Sequence, residues 1–233
     1  MARRILAIVL WLVALGTVNV ASAETDAEGL TKQCASGDAR GCANLGVMYV
    51  NGTGVTQDDF KAAVLFRKAC DGQNATGCFN LGLMYKKGTG VTQDSFKAVE
   101  FYRKACDGKD AVGCSNLGYA YEKGTGVTQD DFKAVELYRK ACDGQYARGC
   151  FALGVSYANG LGVTQDSFKA VELWKRACDG QNAMGCSNLG VMYANGTGVK
   201  QSDVDALTFF GRACDLKSEL GCENYARLKT GKR

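Results

Sequence analysis

The chain is 233 residues long, and 28 Lys and Arg against 24 Asp and Glu give a formal charge of +4 with no basic run, which argues against nucleic acid or an anionic membrane as partner. It has no histidine, so Ser-His-Asp and Cys-His catalysis and histidine-bearing zinc sites are excluded. Its 46% apolar content suffices for a packed core, and proline is absent throughout.

The N-terminus fixes the expected compartment. Arg3 and Arg4 precede the apolar run "ILAIVLWLVALGTV" over residues 5–18, and "ASA" at 21–23 offers the small-x-small pattern of a cleavage site. Residues 1–23 are therefore expected to be a secretory signal peptide, the apolar run being too short for a comfortable membrane span. No cysteine follows the run to take a lipid anchor. Cleavage would remove two arginines and no acid, leaving residues 24–233 with a charge of about +2, that is +4 less 2. Nothing later in the chain is apolar for long enough to span a bilayer, and the expected address is the periplasm or the medium.

A half-unit (24–38) then leads into segments starting at Ala39, Ala75, Ala111, Ala147 and Ala183, which align without a gap, and a second half-unit (219–233) closes the chain. A fixed 36-residue period predicts one all-α solenoid over 24–233, with five full repeats and two flanking half-units, rather than several separate domains. Each unit reads as two helices. In "ATGCFNLGLMYKK" (75–87), Gly77, Cys78, Leu81 and Tyr85 share one face. "GTG" (88–90) breaks the chain, and the second helix is expected from "TQD" onward, with Thr92 as cap and Asp94 in the first turn. Phe96, Ala98, Val99, Phe101, Tyr102, Ala105 and Cys106 are expected to form its buried face. In the fifth repeat "GVKQSDVDALTFFGRAC" replaces the usual "GVTQDxFKAVE"; the helix should form there with a different exposed face.

The pattern "LGxxYxxGxGV…DxxKAxxxYxKA" resembles the Sel-1-like repeat, a relative of the tetratricopeptide repeat, from about residue 34 to 222. With C-x7-C in every unit and the signal peptide, the chain resembles the secreted Helicobacter-type cysteine-rich proteins. That resemblance implies an α/α superhelix whose first helices line a concave face and bind a protein or peptide. Family members are also described as β-lactam-binding proteins or slow β-lactamases, so a β-lactam or a cell-wall-derived small molecule is the alternative ligand. The residues lend that alternative little. S-x-x-K and S-D-N are absent, and a lone "KTG" lies at 229–231 in a basic tail. No catalytic residue, metal ligand or cofactor is assigned.

Twelve cysteines in pairs eight apart demand an account. Eight residues of one helix would span about 12 Å, beyond the roughly 4.4–6.8 Å between Cα atoms that a disulfide allows. The polar gap must be a turn between antiparallel helices. Pairing at a separation of eight uses every cysteine, whereas pairing at 28 strands Cys34 and Cys222. The family resemblance implies the eight-residue bridge as well. The expected pairs are Cys34–Cys42, Cys70–Cys78, Cys106–Cys114, Cys142–Cys150, Cys178–Cys186 and Cys214–Cys222. Each short loop contributes about 2.5 kcal/mol on the chain-entropy estimate. Zinc and redox motifs use closer spacings.

Differences among the repeats locate a candidate groove. On the first helix of repeat one, Gly41, Cys42, Leu45 and Tyr49 face the core, while Arg40, Ala43, Val47 and Val50 point away. Position 43 becomes Phe79, Ser115, Phe151 and Ser187, and position 47 becomes Leu83, Tyr119, Val155 and Val191. Asn44, Asn80, Asn116 and Asn188 line the edge of that face, Ala152 being the exception. The expected ligand-binding groove is therefore Asn44, Asn80, Asn116 and Asn188 with Phe79, Tyr119 and Phe151. Against it stands a plainer reading, in which the amides tie neighbouring first helices and the phenylalanines pack between repeats. Glycines 46, 82, 118, 154 and 190 are expected to permit close helix packing.

Overall fold

The computed structural model describes residues 26–231; the expected signal peptide, residues 1–23, lies outside the described residues. The described residues form twelve helices and no strand. Helix α1 covers residues 26–35. The rest are α2 (Ala39–Asn51), α3 (Asp59–Asp71), α4 (Ala75–Lys87), α5 (Ser95–Asp107), α6 (Ala111–Lys123), α7 (Asp131–Asp143), α8 (Ala147–Asn159), α9 (Ser167–Asp179), α10 (Ala183–Asn195), α11 (Asp203–Asp215) and α12 (Glu219–Lys229). They fall into two compact units, one ending at Asp94 and one beginning at Ser95. Even-numbered helices are the first helices of the repeats, and odd-numbered helices the second.

First helices end where the sequence supplies glycine in the left-handed region: Gly52, Gly88, Gly124, Gly160 and Gly196 have φ between 66° and 72°. Second helices start two residues later than the threonine cap predicted for them. The cap is the aspartate of "TQD": Asp58, Asp130 and Asp166 accept from the backbone N–H of Lys61, Lys133 and Lys169, and Ser202 does the same for Asp205. The short carboxylate reaches the third amide, whereas the threonine sits in backbone that is not yet helical.

The core is built from glycine against aromatic rings. A Cβ placed on Gly46 would lie 2.7 Å from the Phe66 ring; the same atom on Gly118, Gly154 and Gly190 would lie 2.9, 2.6 and 2.6 Å from Tyr138, Trp174 and Phe210. Each ring packs against the glycine of its own repeat and is buried. The expectation that these glycines serve close packing holds at every one of these four positions.

All six bridges form at separation eight, with Cα atoms 4.4–4.6 Å apart, and no cysteine is free among the described residues. Each links the end of one second helix to the start of the next first helix, so it fastens neighbouring repeats. Two further contacts tighten the same joint. Gly77, Gly149 and Gly185 abut Ala69, Ala141 and Ala177. Lys68, Arg176 and Arg212 donate to the carbonyls of Cys34, Cys142 and Cys178, each placing a cation at the helix end that favours it.

Gly37, under the first bridge, is left-handed (φ 95°), but the turns under the four bridges from Cys70 to Cys186 depart from simple glycine logic. Their glycines, such as Gly72 (φ −79°) and Gly144 (φ −74°), are not left-handed. The next residue is: Gln73, Lys109, Gln145, Gln181 and Lys217 have φ of 62–67°. The glycine is there for room, since a Cβ on Gly144 would lie 2.8 Å from the Ala111 Cβ.

Candidate functional site

The variable face of the first helices separates into residues that reach solvent and residues that do not. In the unit from Ser95 onward, Tyr119 is 48% exposed, and Met184, Val191 and Leu220 are exposed on the same set of helices. Phe151 is not solvent-facing as expected: it is half-buried and packs on the cluster of Val171, Trp174, Leu189 and Met192. The carbonyl of Phe151 also accepts from the Trp174 indole N–H at 3.2 Å. For this ring the plainer reading, packing between repeats, is the right one. A large side chain there finds apolar surface on the next hairpin before it finds water. Ser187, at the same position, is buried with its hydroxyl 3.3 Å from that of Ser218.

In the unit ending at Asp94, Val47 and Asn44 are exposed, whereas Phe79 and Asn80 are half-buried. Ala43 is buried against Cys34, Cys42 and Ala69, so the helical-wheel reading that pointed it outward is corrected. The face is narrower than a wheel suggests, because the bridged second helix covers its first turn.

The amides do not tie neighbouring helices together. Asn116 donates to the Val112 carbonyl of its own helix at 2.9 Å. Among the described residues, Asn44, Asn80 and Asn188 have no intrachain amide partner. A fifth amide of the series lies in the C-terminal half-unit: Asn224 stands 36 residues after Asn188, is buried, and accepts from Arg227 at 3.0 Å. The period alone would have found it. Beside it, Val191, Ala194, Phe210, Arg227 and Leu228 complete a small cleft of about 140 Å³ between α10, α11 and α12.

Tyr119 has a charged surround. The Lys123 ammonium lies 5.8 Å from its ring centroid and 2.7 Å from Glu122, whose other oxygen accepts from the Tyr138 hydroxyl at 2.6 Å. Burial pushes the Tyr138 phenol well above its ordinary value, and the Glu122 carboxylate reinforces the shift. The hydrogen bond to Glu122 raises Lys123. The raised Tyr138 and Lys123 therefore keep their protons near neutrality and supply no titrating acid or base beside the exposed ring.

The described residues contain no group of three or more His, Cys, Asp or Glu placed to hold a metal, and no helix long and apolar enough to cross a membrane. The "KTG" tripeptide ends α12: Lys229 lies over the Tyr225 ring, and the Thr230 hydroxyl donates back to the helix carbonyls of Ala226 and Arg227. Its groups are taken up in finishing a helix.

The family model of the Sel1 repeat matches five consecutive segments, residues 39–74, 75–110, 111–146, 147–182 and 183–218. Among solved structures, a protective antigen of uropathogenic Escherichia coli with an SLR fold is 32% identical over 87% of this chain, with a TM-score of 0.82. The present chain spans only 43% of that protein's length. A Sel1 repeat protein from Oxalobacter formigenes is 24% identical, covers 91% of this chain and 85% of its own, and superposes with a TM-score of 0.80. Cysteine rich protein B of Helicobacter pylori is 32% identical over 56% of this chain and 94% of its own, with a TM-score of 0.47. No protein of curated function matches the chain by sequence.

Proposed function

The chain belongs to the Sel1 repeat family, and from that premise we propose that it is an exported recognition protein that holds an extended peptide or surface loop of a protein partner. Sel1 repeats usually mediate protein interactions. The observation that carries the reading is the first-helix face of the unit from Ser95 onward. There the exposed Tyr119 ring shares α6 with the amide of Asn116, and the exposed Met184 and Val191 side chains share α10 with the amide of Asn188. Apolar side chains of this kind supply contact area, and an amide with a donor and an acceptor can pair with a partner's backbone. Asn44 and Asn80, with the half-buried Phe79, offer the same chemistry in the unit ending at Asp94. Six disulfides support an oxidising compartment, either periplasm or medium. Neither the comparisons nor the geometry adds support for β-lactam turnover.

The test is affinity capture on the oxidised chain, followed by titration of the captured partner against two variants. Tyr119→Ser removes an exposed ring, and an anchor of this type is worth about 2 kcal/mol or more. Binding should weaken by at least tenfold, the equivalent of about 1.4 kcal/mol, with the urea midpoint unchanged. Asn188→Ala should weaken binding less. Unchanged affinity in both variants would sink the reading.

A further inference from the structure

The sequence places Phe96 on the buried face of its helix. The structure does the opposite. Phe96, Phe132 and Phe168 are 73–76% exposed, and Val204 at the equivalent position is 76% exposed. Each is the second residue of a second helix. Phe60 repeats the arrangement in the unit ending at Asp94.

Within the unit from Ser95 onward these rungs lie on consecutive layers. The loop glycine of each following repeat seats directly on the backbone beside the rung: Gly126 on Ser95 and Phe96, Gly162 on Asp131 and Phe132, and Gly198 on Ser167. Leu161, next to Gly162, is exposed as well and widens the strip. An apolar side chain repeated at one exposed position across four layers is not needed for the core. The recognition residues, on the first helices, make no use of it.

We infer that this edge is where a second copy of the chain docks, two copies running antiparallel about a two-fold axis. Three observations favour a copy over other occupants. A two-fold partner carries the same repeat-to-repeat spacing, so rung meets rung along the whole edge in any register shifted by whole repeats. The edge has no net positive charge to draw it to an anionic bilayer. Lys133 and Lys169 are held by the cap carboxylates of Asp130 and Asp166 at 3.0 and 3.5 Å, and Asp131, Asp203 and Asp205 add acid beside the rungs. Finally, aromatic side chains of 150–250 Å² give the strip about 600 Å² of apolar surface per copy, against about 800 Å² per partner in a standard interface. The dimer is therefore reversible and not obligate.

Sedimentation velocity on the oxidised, exported protein, from about 1 µM to about 1 mM, covers the range of weak reversible association. The wild type should pass from monomer to dimer across this range. The Phe96→Ser, Phe132→Ser, Phe168→Ser triple variant should keep its far-ultraviolet circular dichroism and dimerise at least tenfold more weakly. Should the triple variant fold poorly, Phe132→Lys serves, since the two-fold axis sets the new charges on facing edges and the dimer should again weaken tenfold. A wild type monomeric throughout overturns the proposal, as does a dimer that survives both variants. Flotation of a monomeric wild type with phosphatidylglycerol vesicles, lost in the triple variant, overturns it in favour of a lipid occupant.

Discussion

Gly154→Ala tests whether the repeat glycines are packing residues. In an isolated helix, alanine is favoured over glycine by about 1 kcal/mol, so propensity alone predicts stabilisation. The packing predicts the reverse. The new Cβ would stand 2.6 Å from Nε1 and 2.7 Å from Cδ1 of Trp174, a ring only 6% exposed. The ring has to move by most of an ångström, and overpacking of this kind costs about 1–3 kcal/mol. Movement also strains the 3.2 Å hydrogen bond from the indole to the Phe151 carbonyl, worth about 1 kcal/mol. The net expectation is destabilisation by about 1–2 kcal/mol, the upper part of those costs less the propensity gain. Gly211→Ala is the control. It lies inside α11, and its Cβ would make ordinary contact with Tyr225 at 3.5 Å, so only the propensity gain remains. Urea unfolding followed by Trp174 fluorescence reads both variants, because the other tryptophan, Trp11, lies in the segment expected to be cleaved. Equal stabilisation in the two variants would refute the packing argument.

Replacing Cys142 and Cys150 together by serine should lower stability by about 2.5 kcal/mol, the loop-closure value for a nine-residue ring, in the same urea assay; a loss below about 0.5 kcal/mol would mean the joint is held by its helix contacts alone. Acid should erode the second helices. The backbone hydrogen bond from Lys133 holds Asp130 below the usual 3.8, so its contribution is present above that value and is lost as pH falls through the lowered one. Asp130→Asn keeps the cap acceptor without the charge, so its circular dichroism melts at pH 6 and pH 3 should differ less than the wild type's; an equal difference would count against the aspartate cap. Gln145→Gly relieves a left-handed non-glycine residue and should raise the urea midpoint by an amount equivalent to about 0.5 kcal/mol; a fall would show that the Gln145 side chain holds the turn. Intact mass spectrometry of protein recovered after export should show a chain beginning at residue 24; an intact N-terminus would contradict cleavage.

The elements were legible because each is bounded by residues with one dominant conformational reason. "GTG" stops a helix, "TQD" starts one, and C-x7-C across a polar turn leaves a single pairing that uses every cysteine. The glycines at 118 and 154 were legible as packing residues because a helix interior offers glycine little else to do. The errors fell where two groups of similar competence stand side by side. Thr and Asp both cap helices, and only the path of the backbone decides that Asp58 reaches the third amide.

The exposed surface was harder to read because a helical wheel counts angle and ignores length. At 100° per residue Ala43 points away from the core and Phe96 towards it, yet Ala43 is buried and Phe96 is exposed. Both sit near the start of a helix, where burial depends on what lies beyond the helix end. A bridged neighbour covers Ala43, while only a loop glycine approaches the backbone beside Phe96. In a stack of short hairpins, first and last turns make up about half of every helix, since 13 residues are fewer than four turns. Repetition therefore marks a position as important without marking it as core. The glycines against aromatic rings repeat because each layer packs in the same way. The phenylalanine rungs repeat although the described residues leave them about three-quarters exposed, which is the pattern expected of a surface used as a whole edge.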